Sequence, residues 1–156
     1  MQGQTKVVGV GIIIGIVIVG LFIWGKLNDP YREQNSQWAA YGVNCLNNGH
    51  TNANLHIHSN LEINLDGVKQ DNPANIGINK KCMSELHTHD GTGKIHIESV
   101  ETGKIFTLQQ FFDVWGEKLD KEEYVLEMTV DGAVSTELGS LILKNNQKIV
   151  LNYSKR

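Results

Sequence analysis

The residues with the clearest capacity for chemistry are histidines. His56 and His58 form one His-x-His pair, His87 and His89 form a second, and His96 follows in the run Lys94-Ile-His-Ile-Glu98. Imidazole keeps a nitrogen lone pair near neutral pH, which makes it the commonest protein ligand for zinc and copper. Glu85, Asp90 and Glu98 lie in the same part of the chain. They read as a second tier, either ligands themselves or acceptors that orient the imidazoles. The pattern points to a copper or zinc ion with His56, His58, His87, His89 and His96 as candidate ligands. His50 stands alone in an Asn-rich loop and reads as a solvated side chain.

Strand periodicity is what would gather these groups. Over Leu55–Leu65, Leu55, Ile57, Leu61, Ile63 and Leu65 fall on one face with Ser59, while His56, His58, Asn60, Glu62 and Asn64 fall on the other. Alternation of this kind marks a half-buried strand. The histidines sit off the core face, so the bland alternative is a solvated polar face that happens to contain histidine. Asp66-Gly67 offers a hairpin turn. If 85–89 is extended, Glu85, His87 and His89 share a face. After a turn at Asp90-Gly91-Thr92-Gly93, a strand over 94–100 turns Ile95 and Ile97 one way and His96 and Glu98 the other. A hairpin would then set His96 beside His87 or His89, since opposed residues lie about 4.5–5.5 Å apart.

Beyond these segments, Thr107 and Gln110 fit a capping box, and Leu108, Phe111, Phe112, Trp115 and Leu119 form an apolar stripe. A helix from Thr107 to about Leu119 follows, with its stripe in the core. Strands are expected at 124–130, 141–143 and 148–153, with turns at Asp131-Gly132 and Asn145-Asn146. The fold class is α+β, mostly antiparallel β with one amphipathic helix packed on the sheet, preceded by a single N-terminal transmembrane helix.

That last element rests on Val7 to Gly25, an unbroken apolar run close to the ~20 residues needed to span a bilayer. Trp24 stands at an interfacial position, and no Ala-x-Ala-like site follows to mark a cleaved signal peptide. The chain divides into an anchor at 1–26, a polar stalk or irregular segment at 27–49, and a histidine-rich β domain at 50–156. Lys6 favours a short tail inside, and Lys26 and Arg32 weaken that bias. Cys45 and Cys82 are the two cysteines. In an exported domain they read first as a disulfide closing a loop of about 37 residues, with free thiols or thiolate ligands as the alternatives. The expected location is the cell membrane, single-pass, with the C-terminal domain outside the cytoplasm. A net charge of -3 over 156 residues, with Lys and Arg scattered, shows no basic stripe and argues against a nucleic-acid partner.

The succession His56-x-His58, Pro73-Ala74-Asn75-Ile76-Gly77-Ile78, Leu86-His87-Thr88-His89-Asp90, Ile95-His96-Ile97-Glu98 and Phe111-Phe112-x-x-Trp115-Gly116 resembles an exported, membrane-anchored domain. That domain occurs in archaeal, notably thaumarchaeal, and some bacterial proteins. The resemblance covers about residues 50–156 and implies an extracytoplasmic setting. The C-terminal run from Thr129 to Tyr153 is loosely similar to the ends of β-grasp domains. His56-x-His58-x-x-x-Glu62 also matches part of the first cupin motif, but the second motif is missing. Three functional expectations follow. The first is a metal-binding domain. The second is a structural or accessory subunit of a larger membrane complex. The third is a zinc-type hydrolase or lyase with Glu85 or Glu98 as base.

Overall fold

The computed structural model describes residues 17–19, 30–46 and 53–156. Val17–Val19 are helical, and the rest of the anchor, like His50, lies outside the described residues. Among the described residues no helix is long and apolar enough to cross a membrane.

The chain forms helix α1 (Pro30–Ala40), strands β1 (Leu55–Leu65), β2 (Val68–Gln70), β3 (Ile78–Asn79), β4 (Cys82–Met83), β5 (Leu86–His87) and β6 (Lys94–Ser99), helix α2 (Leu108–Trp115), and strands β7 (Tyr124–Val130), β8 (Ala133–Ser135) and β9 (Gln147–Lys155). The main sheet runs β5-β6-β1-β9-β7-β8, with β2 also paired to β1, and β3 and β4 form a separate hairpin. All pairings are antiparallel except β1 with β9, which run parallel at the centre. The parallel pair β1 and β9 is flanked by β6 on the β1 side and by β7 on the β9 side, and α2 lies in the chain between β6 and β7.

The helix α2 forms where its capping box demands. The Thr107 side chain accepts from the Gln110 N–H, and the Gln110 side chain accepts from the Thr107 N–H. It is shorter than its apolar stripe suggests. Gly116 adopts φ 82°, which favours glycine, and its N–H caps the Phe112 carbonyl and stops the helix. Leu119 still reaches the core beyond that stop. Leu108, Phe111, Phe112 and Val114 face Leu86, Ile95, Ile97, Ile149 and Leu151 in one continuous core.

Two expectations are corrected. Part of the supposed stalk is helix α1, and its Trp38 is buried with Nε1 donating to the Val114 carbonyl at 3.1 Å. A polar helix exposes little apolar periodicity, so its one buried aromatic gave no pattern to read. Leu141–Leu143 is no strand. It makes one isolated bridge, Thr107 to Ile142, because its backbone bonds flank the start of α2 (Leu108 N to Leu141 O, Leu143 N to Phe106 O) rather than a strand ladder.

The disulfide between Cys45 and Cys82 is formed, at a sequence separation of 37. It ties the segment after α1 to β4. Next to it Ser84 bridges to Cys45, so the chain reaches β5 already fixed on both sides.

Candidate metal centre

β1, β6 and β5 lie side by side, and their apolar faces fix which way the histidines point. Ile95 and Ile97 of β6 and Leu86 of β5 are buried in the core. Alternation therefore sends His96, Glu98 and His87 to the opposite face, together with His56 and His58 of β1. Registry does the rest. His58 is opposite His96, His96 is opposite His87, and His56 is opposite Glu98. One imidazole from each of three neighbouring strands thus forms a row across the sheet.

Local contacts hold that register. The Asp66-Gly67 turn has φ of 49° and 79°, the conformation a two-residue hairpin needs. Gly93, at φ 83°, lets its carbonyl accept from Leu61 N–H at 2.8 Å, where any side chain would strike the Leu61 carbonyl. At the other end of the row Asn145 Oδ1 accepts from His58 N–H at 3.1 Å and the His58 carbonyl accepts from Asn146 N–H at 2.7 Å. The backbone carrying His58 and His96 is therefore bonded beyond the ladder itself.

The side chains converge in two groups. The ligand atoms of His56, His58 and His96 lie within 4.8 Å of one another, and so do those of His87, His89 and His96. His58 Nε2 is 3.2 Å from His96 Nδ1. In a tetrahedral site with metal–nitrogen bonds of about 2.0–2.1 Å, neighbouring ligand nitrogens lie about 3.3 Å apart. That pair already has ligand spacing. As a hydrogen bond, one of the two nitrogens donates to the other.

Two further groups define the electrostatics. Glu98 is fully buried, with Oε1 3.2 Å from His56 Nε2 and 3.8 Å from His96 Nδ1. A carboxylate here favours a cation held among the imidazoles. His87 is also fully buried, and its Nδ1 lies 2.8 Å from the Ser84 carbonyl. The carbonyl can only accept, so Nδ1 carries the proton and Nε2 carries the lone pair. This second contact orients a histidine as metal ligands are usually oriented. The Ser84 carbonyl had no sequence signal, because a backbone atom has no residue type.

The second-tier carboxylates separate. Glu98 joins the histidines, whereas Glu85 and Asp90 do not. Glu85 Oε2 accepts from Lys104 Nζ at 2.7 Å and from Asn44 N–H at 2.7 Å, and its Oε1 accepts from Ser99 Oγ at 2.6 Å. The expected shared face for Glu85, His87 and His89 fails at its first member. The chain bends at Glu85, between the Ser84 bridge and the two-residue strand β5. His87 and His89 do stay together, with ring centroids 4.8 Å apart. Asp90 accepts from Thr92 N–H and Thr92 Oγ1 in the turn, and those bonds hold its carboxyl below the usual carboxylate range.

No family model, curated protein or solved structure matches the chain.

Proposed function

We propose that this protein is a membrane-anchored, extracytoplasmic domain that binds copper or zinc through its His-x-His pairs. One observation carries the metal reading: a ligand atom of His96 lies within 4.8 Å of those of both the His56/His58 pair and the His87/His89 pair. Five imidazoles on one sheet face would repel one another when protonated, and a divalent ion replaces those protons with a favourable charge. The absence of thiolates from the cluster, the two cysteines being bridged, suits Cu(II) or Zn(II), with Cu(II) the tighter by the usual order of affinities. The disulfide also supports an oxidising compartment outside the cytoplasm. The apolar run at 7–25 supports the anchor, and the resemblance to exported archaeal and bacterial domains supports the setting.

The test is elemental analysis of the full chain, extracted in mild detergent and purified without chelator or histidine tag, beside a His87→Ala/His89→Ala double variant. Bound copper or zinc in the wild type that falls in the variant supports the reading. If the wild type neither carries metal nor takes it up, the metal reading fails. The accessory-subunit reading would then gain, for which exposed Val125 and Val134 on the outer strands β7 and β8 offer contact area. Co-migration with a larger assembly in the same detergent would be its signature.

A further inference from the structure

The cluster resolves into two groups of three rather than one group of five, and His96 alone belongs to both. We propose that it is a two-metal centre, with one ion on each side of the His96 ring and that imidazole bridging them. The inference rests on the metal-binding reading above and specifies its stoichiometry and its central ligand.

Strand spacing is the first reason. His58, His96 and His87 occupy one row on three adjacent strands. Adjacent strands lie about 4.7–4.9 Å apart, so His58 and His87 leave the backbone about 10 Å from each other. Two nitrogens on one ion can be separated by at most about 4.2 Å. To share one ion, both outer rings would have to swing into the middle of the row. The middle is filled by His96, whose ring stacks on His87 at 5.1 Å and 17° and meets His58 edge-on at 4.5 Å and 90°.

The second reason is the shape of imidazole, whose two nitrogens point outward from different edges of the ring. His96 Nδ1 faces the first group, 3.2 Å from His58 Nε2 and 3.8 Å from Glu98 Oε1. That assigns Nδ1 to the ion held with His56 and His58, and leaves Nε2 for the ion held with His87 and His89. Binding both ions requires neutral His96 to release its one N–H proton to solvent, each nitrogen then giving a lone pair to one metal. The bridging ring carries one negative charge, and buried Glu98 supplies another beside the first ion. Each ion would have three histidine ligands and a fourth position for solvent.

The test titrates the full, untagged chain in detergent with Cu(II) alone, and separately with Zn(II) alone, and counts ions retained after desalting. Two ions per chain are expected in the wild type and one each in His58→Ala and His87→Ala. Loading with Cu(II) adds a spectroscopic readout. At two equivalents, magnetic coupling through one imidazole lowers the electron paramagnetic resonance intensity below the copper content. In His96→Phe the coupling disappears. His87 is buried, so far-UV circular dichroism checks that its variant folds, and the more exposed His58→Ala tests the same stoichiometry from the other side. One ion per chain, lost in both single variants, overturns the two-metal centre while leaving the metal-binding domain intact. Two coppers with full spin intensity overturn the bridge. No ion retained at all overturns the underlying reading as well.

Discussion

Glu85, in the bend before β5, and Glu98, on β6, are both buried carboxylates, joined by a backbone bond from Glu98 N–H to the Glu85 carbonyl. Their surroundings differ in kind. Glu85 faces a lysine at 2.7 Å, a hydroxyl and a backbone N–H. Every one of these partners belongs to the protein itself, so this network is complete whatever the protein binds. Glu98 faces His56 and His96, groups whose charge depends on protons and on metal. One carboxylate belongs to a closed structural network and the other to a site whose charge can change. A buried acid signals function only when its partners can change state.

The largest expected effect breaks the closed network. Lys104→Met leaves the Glu85 carboxylate buried without its cation, which costs about 3–5 kcal/mol in a urea melt. Metal uptake should persist in the molecules that remain folded. Cys45→Ser/Cys82→Ser loosens the same network from the side of Asn44, and the chain-entropy model gives a loss of up to about 4 kcal/mol. The metal side shows the opposite sensitivity. Zinc at a hundredfold its Kd should stabilise the wild type by about 2.7 kcal/mol for each ion bound, and His96→Phe should abolish most of that increment. Glu98→Gln should weaken zinc binding about 10–100-fold. In direct titrations the affinity should fall as pH drops below about 6.5, where imidazoles take up protons in competition with metal. The smallest effect is a control remote from both carboxylates. Thr107→Ala removes the α2 cap and should cost about 1 kcal/mol without altering metal binding.

Tyr153 gives an independent alkaline marker. Its hydroxyl donates to the Leu119 carbonyl at 2.6 Å, and burial pushes its pKa up to about 12 from 10. The unfolded chain ionises first, so its stabilising contribution is full below pH 10 and is lost as pH rises from 10 through 12. Thermal melts across that interval should show the fall in wild type and not in Tyr153→Phe.

Local patterns carried much of the fold into the sequence. Alternation in β1 and β6, the turn dipeptides Asp66-Gly67 and Asp131-Gly132, and the α2 cap each depend on neighbours in the chain, and each could be read there. So could the placing of His56, His58, His87 and His96 on one face, since side-chain period follows from strand type alone. What could not be read depends on distant partners. The bend that withdraws Glu85 is imposed by the Ser84 bridge to Cys45. Its lysine, Lys104, comes from beyond β6. Helix α1 is held by Trp38 and by Asn79 donating to Gln34 and Asn35, and Leu141–Leu143 had strand-like residues but serves the approach to α2. The parallel pairing of β1 with β9 had no signature in either strand.

That parallel pairing also sets a timetable. β1 carries His56 and His58, and one of its edges is completed by β9, in a register that places Ser59 opposite Gln147. The backbone of His58 itself is bonded to Asn145 and Asn146. Contacts between segments so far apart in the chain form late and slowly. A nascent chain emerging from the ribosome holds its first His-x-His pair on an unfinished sheet until Asn145 to Lys155 have followed. On the metal-binding reading, ion capture would belong to the finished molecule, since the three-strand row is ordered only once β9 has paired with β1.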